Sequence, residues 1–390
     1  MNQYPSEIYN PLELALTGGA RLQDFVDEIL ANYNKLEING FTWNEDLLPD
    51  FTYSQVQKEL KMEVMAQYVD LDSPAIPVGE EGNVIGTGSI PRMKSVEYYN
   101  EHKLRLLRQL ENRRDYDRAA LSEVAQENVA RIITKLVKRH TNSLTYQRHQ
   151  IVSNAKFVLT DTNNPNGIIN VTFANHTPSA NFTTLADDAR WWTNATHDVA
   201  HQGSASNVIT NLQTMIKTAR RKGVTKAHFE VNYDFLDDIL GHSSVTNAIA
   251  ASLYPSAASE SWAKAAAAQL ARSQKIEILG RIIGAPIIDW DEQVSVEKWD
   301  NSTKKLTRPQ FEAFSKNVVV LVPDGNIGEI LTVEPILLSG GEYAFGFGRK
   351  LAITIDKDFA KKCMSYNSEM TSLVVPNVPQ YMWYIKPCEV

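Results

Sequence analysis

Asp72-Ser73-Pro74-Ala75-Ile76-Pro77-Val78-Gly79-Glu80-Glu81-Gly82-Asn83-Val84-Ile85-Gly86-Thr87-Gly88-Ser89-Ile90-Pro91 is a turn-rich run, and from Arg92 to Asn164 no glycine or proline follows it. Proline removes a backbone donor and glycine raises the entropic cost of order, so the first segment cannot be a helix. Beyond it, Leu121, Val124, Ala125, Val129, Ile132, Ile133, Leu136 and Val137 recur at three- and four-residue steps. That period predicts an amphipathic helix from about Asp117 to Val152, on the order of 50 Å long. Arg131, Lys135, Lys138 and Arg139 fall largely beside or opposite the stripe, so the helix is expected to pack on one side. A reaching loop feeding a long stiff helix is unusual in an enzyme core.

Glu63 to Val69 reads as a strand, and Ser95-Val96-Glu97-Tyr98-Tyr99 as its return. Together they predict a two-stranded loop roughly 30 residues long, of the kind that is functional when it lacks a core. Upstream, short amphipathic pieces such as Leu22 to Tyr33 are separated by Pro5, Pro11, Gly18-Gly19, Gly40 and Pro49. They read as an arm that packs on something else.

After the helix, Lys156 to Thr160 and Ile168 to Phe173 flank the turn Asn163-Asn164-Pro165-Asn166-Gly167 and predict a hairpin. From 185 to about 333 helix alternates with strand. Val208 to Arg221 is an amphipathic helix ended by basic residues and Gly223. A strand at Ala227 to Val231, a helix around Tyr233 to Leu240, and strands at Ile276 to Leu279, Pro286 to Trp290 and Val318 to Pro323 follow. Thr371 to Val375 and Tyr381 to Ile385 read as two strands split by Pro376 and Pro379. The Ala/Ser-rich stretch 244 to 272 has no assigned place.

The 390 residues carry a net charge of -7 and are 43% hydrophobic. That is ordinary globular usage, and a phosphate-neutralising surplus of cations is absent overall. Enclosing nucleic acid needs no such surplus. Cys363 and Cys388 are the two cysteines, which form neither a disulfide framework nor a zinc spacing. The first residues lack a basic and an apolar region, so no signal peptide is expected. No apolar run approaches the roughly 20 residues of a membrane span. The chain is read as made soluble, in a reducing compartment, with no membrane partner.

His197-Asp198-Val199-Ala200-His201 sets two histidines one helical turn apart, near the zincin pattern. Asp198 stands where a glutamate base is required, and no third ligand is near, so a polar helix face is the expectation and no metal site is assigned. Gly340 to Lys350 has the composition but not the spacing of a phosphate loop, and a turn between strands is expected. Arg105, Arg108, Arg113, Arg114 and Arg118 are interleaved with Glu101, Glu111, Asp115 and Asp117, which favours ion pairs or a solvated face over nucleic-acid contact. Trp191-Trp192 is expected at a helix start, one ring inward and one against a neighbour. No nucleophile, base and orienting acid converge, so no catalytic residue and no cofactor is assigned.

The order of these segments resembles the tailed-phage major capsid proteins with the Hong Kong 97 fold, most closely the phage lambda-type (protein E) branch. Val64 to Val69 with the turn-rich run is similar to the strand that launches that family's extended E-loop. Asp117 to Val152 resembles its spine helix and Ala155 to Thr160 the strand after it. Gly223 to Asn232, with the helix at Tyr233 to Leu240, is similar to the first strand and helix of the A-domain. Ile283 to Ile288 and Phe314 to Leu321 resemble later A-domain strands, and Val374 to Trp383 the closing P-domain strand. The resemblance covers about residues 60 to 390, and no single piece is specific on its own.

The resemblance implies an α+β fold. It has an N-terminal arm (1–60), an E-loop (61–105), a peripheral P-domain with the spine helix (106–184), an inserted α/β axial A-domain (185–334) and P-domain return strands (335–390). It implies a shell of hexamers and pentamers around double-stranded DNA, in a virion assembled in the host cytoplasm. Ile76, Val78, Val84, Ile85, Ile90 and Arg92 of the E-loop would then contact neighbouring subunits. Leu121, Val124, Val129, Ile132 and Leu136 would form the spine-helix core. Partners implied are further copies of the chain, a separate scaffolding protein, a portal and a decoration protein. Some relatives crosslink through an E-loop lysine; Lys94 lies near this loop, but no motif carries that chemistry over. An encapsulin-like compartment and a soluble metal-dependent hydrolase using His197 and His201 are the alternatives. A nucleic-acid-binding module built on Arg105 to Arg118 is a third.

Overall fold

The computed structural model describes residues 22–31, 38–57, 84–99, 105, 118–165, 167, 171–173, 181–193, 197–257, 259–300, 302, 304–336, 342–358 and 363–387. The chain divides into two units: Met1–Tyr53, Ser89–Thr145 and Ile330–Val374 form one, and Ser54–Gly88, Tyr146–Glu329 and Val375–Val390 the other.

The expected spine helix runs Arg118–Asn154, about 55 Å at 1.5 Å per residue. Nothing in it breaks the backbone ladder, and its stripe is buried at Ala125, Val129, Ile132, Ile133, Leu136 and Val137. In the first unit it lies against the strand Arg92–Tyr99: the Arg139 guanidinium donates to Ser95 Oγ at 2.9 Å, Val96 O at 3.0 Å and Glu97 Oε2 at 2.7 Å. Buried His140 meets Ser368 Oγ at 2.9 Å.

Arg92–Tyr99 pairs antiparallel with the 14-residue strand Cys363–Pro376, from Arg92 opposite Thr371 to Tyr99 opposite Met364. Residues 63–69, read from the sequence as the strand to which 95–99 return, lie outside the described residues. The arm strands that do pair are Thr52–Gln57 and Val84–Ser89. Those two form a sheet of their own, and the sheet of Arg92–Tyr99 and Cys363–Pro376 also holds Phe41–Trp43, Gly328–Val333, Leu351–Asp358 and Glu342–Gly346. The last two form a hairpin: of Gly340 to Lys350, read as a turn between strands, Glu342–Gly346 is strand and the turn is confined to the residues after it, with Phe347, Gly348 and Arg349 all at positive φ. The helix Leu22–Ala31 packs on this hairpin: Gln23 donates to Phe345 O at 2.6 Å and accepts from Phe345 N at 2.7 Å. This arm helix thus has a seat on its own chain.

The second unit centres on a mixed sheet in the order Phe182–Thr184, Trp383–Lys386, Val319–Pro323, Ala227–Asn232, Ile287–Trp290. Ala227–Asn232 and Ile287–Trp290 are parallel, so the chain between them must cross over as helix. It does so as Tyr233–Gly241, Ser243–Leu253, Ser261–Ala268 and Arg272–Ile283. Asn232 ends the strand and caps the first helix, accepting from Phe235 N at 3.2 Å. The Ala/Ser-rich stretch is therefore helical hairpin. Ile276 to Leu279, read as a strand, lies inside Arg272–Ile283; Leu279 and Ile283, one turn apart, are its buried residues. The expected hairpin after the spine helix forms, Phe157 opposite Phe173. Trp191 and Trp192 precede no helix start, and both are fully buried in the core with Phe235 and Leu212.

Ile133→Ala is expected to cost about 2–4 kcal/mol and Lys138→Ala, on the exposed face, less than about 0.5 kcal/mol. Urea unfolding of the full-length chain distinguishes them.

Candidate assembly surfaces and the buried charge cluster

Each sequence-predicted residue has a definite place or none. Val129, Ile132 and Leu136 are buried on the spine helix and Val124 is half-buried; the side chain of Leu121 is outside the described residues. Ile76 and Val78 also lie outside them, as do the side chains of Val84 and Ile85, although their strand is described. Ile90 is covered by its own chain, and its N–H donates to Phe51 O at 2.8 Å. Arg92 Nε donates to Glu369 Oε1 at 2.5 Å, and Lys94 Nζ sits 3.6 Å from Glu369 Oε2. Of the arginine cluster only Arg105, which is exposed, is described beyond its backbone.

His197 and His201 do not share a helix face. His197 has a φ of 52° and its Nδ1 meets Asp238 Oδ2 at 2.7 Å. Val199–His201 is a single 3₁₀ turn in which His201 Nδ1 meets Asp198 Oδ1 at 2.6 Å. Each imidazole is engaged by a different carboxylate, and among the described residues no group of three metal-ligating side chains exists. No helix among them is long and apolar enough to cross a membrane.

The second unit holds a charge cluster that sequence reasoning missed. Arg148, on the last turns of the spine helix, makes a bidentate pair with Glu230 on the central strand; its Nη1 donates to Glu230 Oε2 at 2.6 Å. Both side chains are almost fully enclosed. Trp290 Nε1 donates to Glu230 Oε2 at 2.8 Å, and the Arg148 guanidinium lies 4.6 Å from the centre of the Trp290 ring. His228 reaches both Glu230, at 3.3 Å, and Asp324, at 2.6 Å. Burial alone would raise the Glu230 carboxyl, but Arg148 and His228 outweigh it and hold it at about 2. Burial also opposes protonation of His228, yet its two carboxylates raise it above its usual value. Burial and then the Arg148 charge lower His149 to about 3. The signal available in sequence was a carboxylate amid the apolar strand Ala227–Asn232. Its partner, 82 positions away, was not legible.

Several large apolar side chains stay exposed: Phe51, Val96, Tyr98, Ile336 and Tyr343 in the first unit, and Val199, Leu253, Trp262, Ile288 and Leu306 in the second. Scattered apolar exposure is ordinary, but together with the two-stranded arm it suits a protein that binds copies of itself. The phage major capsid protein E family matches residues 31–333.

The chain belongs to that family.

A comparison with curated protein sequences finds no match. A phage-related protein from Bordetella bronchiseptica RB50 is similar in structure at 12% identity, with 94% of this chain and 98% of that chain covered and a TM-score of 0.48. The putative capsid protein of a prophage of E. coli CFT073 is similar at 11% identity, over 78% of this chain and 79% of that one, with a TM-score of 0.44. The mature capsid of bacteriophage PhiM1 is similar at 10% identity over 90% and 86%, with a TM-score of 0.42.

This phage major capsid protein is structural rather than enzymatic, which removes the hydrolase alternative. Its described elements make the α+β mixture that was expected. It builds a shell from copies of itself, and its place is the virion capsid.

Arg148→Met would leave Glu230 buried without its cation and is expected to cost about 3–5 kcal/mol; the double variant Arg148→Met/Glu230→Gln should recover part of that loss in urea unfolding. Acid acts through the histidines as well. His149 and His140, held near 3 and 4 when folded, take up protons from about 6.5 downward on unfolding. Stability should therefore fall as pH drops from 6.5 toward 4, before Glu230 titrates, and a His149→Gln variant should show a flatter dependence of its urea midpoint on pH.

Proposed function

We propose that this capsid protein assembles as hexamers and pentamers into a closed icosahedral shell around the double-stranded DNA of a tailed phage. The observation that carries the reading is the family match across most of the chain. The two-stranded arm Thr52–Gln57 with Val84–Ser89 supports it. Among the described residues no third strand joins this ribbon, and a neighbouring chain's backbone could add at an edge. Ile76, Val78, Val84 and Ile85 are the apolar residues that neighbours would cover, and Arg92 with Glu369 fixes the base of the loop. The partners this implies are a scaffolding protein that sets the curvature, a portal at one vertex and a decoration protein on the outside. Assembly would take place in the host cytoplasm.

Electron microscopy of the chain co-expressed with its upstream neighbouring gene tests the reading. Closed shells tens of nanometres across are expected; a persistent folded monomer would overturn it. Shells that enclose an enzyme encoded beside this gene, rather than DNA, would point to an encapsulin-like compartment. Val78→Asp with Ile85→Asp is expected to abolish shells while leaving the urea midpoint of the unassembled chain unchanged.

A further inference from the structure

The charge of this chain is not evenly spread. From Val199 to Phe229 there is no acidic residue, and within that stretch Lys217, Arg220, Arg221, Lys222 and Lys226 fall in one ten-residue segment. The rest of the chain is acidic enough to leave a net charge of -7. All five side chains are exposed, and none of the five is ion-paired among the described residues. Elsewhere several exposed cations are ion-paired: Arg281 with Glu277, Arg308 with Glu297, Lys298 with Asp161 and Lys316 with Glu312. Other exposed lysines, Lys138, Lys156, Lys304 and Lys305 among them, also stand without an ion pair among the described residues, but here five fall within ten residues.

The helix Val208–Arg221 sets their geometry. Lys217, Arg220 and Arg221 stand at i, i+3 and i+4 and so share one face; Leu212, Met215, Ile216 and Ala219 are buried on the other. Exposed Thr210 and Thr214 extend the cationic face toward the N-terminus with hydroxyl groups. Beyond the helix end, Lys226 and Arg220 line a shallow open groove of about 200 Å³ with Thr225, Ala227 and Pro286. Asp324 closes that groove, and its carboxylate is engaged by His228 at 2.6 Å. Lys222 leans over the Trp383 ring, 5.7 Å from its centre. Cations at a helix C-terminus offset the macrodipole. That accounts for Arg220 and Arg221, but the final carbonyls are already met by the N–H groups of Lys222, Gly223 and Val224, and it does not account for Lys226 or the missing acids.

We infer that this face contacts the phosphodiester backbone of duplex DNA, in any sequence. The inference rests on the reading of the chain as a DNA-enclosing capsid subunit. Lysine and arginine side chains unpaired on a convex helix face are suited to phosphates, which position a duplex without reading bases. Nothing here reaches into a groove, so binding is weak, salt-sensitive and indifferent to sequence. An otherwise acidic subunit repels the packed genome and touches it at one place.

The test uses the full-length chain before assembly and a labelled random-sequence duplex, with anisotropy followed against salt. Five phosphate contacts predict a slope of log K on log salt near −4.5, on the order of a 500-fold loss of affinity between about 50 and 200 mM. Lys217→Gln/Arg220→Gln/Arg221→Gln should reduce the slope by about 2.7, and the charge-reversed triple to glutamate should abolish binding. Lys304→Glu/Lys305→Glu, on an exposed hairpin, should change neither. A triple variant that binds DNA as the unaltered chain does would overturn the inference. So would a triple variant that keeps DNA binding but no longer forms shells with the scaffolding protein, since the face would then serve an acidic protein partner. The capsid reading is judged apart from this, by whether the unaltered chain closes into shells.

Discussion

A single apolar stripe along the 37-residue helix Arg118–Asn154 constrains everything near it. A helix of that length buries nothing by itself and must be covered on one face along its course. In the first unit the cover includes Arg92–Tyr99, which Arg139 and Lys135 hold through Glu97. Toward its C-terminus the pattern changes, because Gln147, Arg148 and His149 are all buried in succession. A stripe cannot explain three adjacent enclosed side chains. The enclosure is polar, and it is tolerable because Arg148 finds Glu230, Trp290 and His228 within one network. Such a network is costly to half-complete, because removing one partner leaves a buried charge uncompensated.

What was legible in the sequence follows from local rules. The spine helix, the helix Val208–Arg221, the hairpin at Phe157–Leu159 and Val171–Phe173 and the strand Val319–Pro323 each carry their own periodicity or turn residues. Ile276 to Leu279 was misread because Ile276 and Ile278 alternate with polar neighbours over a span too short to tell two periods apart. The helix declares itself only once Ile283 and the left-handed Gly284 that ends it are included. Trp191 and Trp192 could not be placed from sequence because two buried indoles in succession need cover on opposite sides, which only the folded core supplies.

The candidate site was less legible, for a physical reason. Arg148 with Glu230, and Arg92 with Glu369, join residues far apart in the chain, and pairing at that distance leaves no local trace. The pairing of Val84–Ser89 with Thr52–Gln57 has the same origin. The cations of Lys217 to Lys226 were visible as basic residues, but that none of them is ion-paired among the described residues, with Asp324 beside Lys226 engaged by His228, is visible only in the folded chain.

The proposed shell subunit has an arm that its neighbours would complete. Hydrogen exchange of residues 52–57 and 84–89, compared between the unassembled chain and closed shells, tests that most directly. Slow exchange appearing in these strands on assembly, with the amides of the spine helix changing little, is the predicted result. Arm amides that exchange equally fast in both states would contradict it.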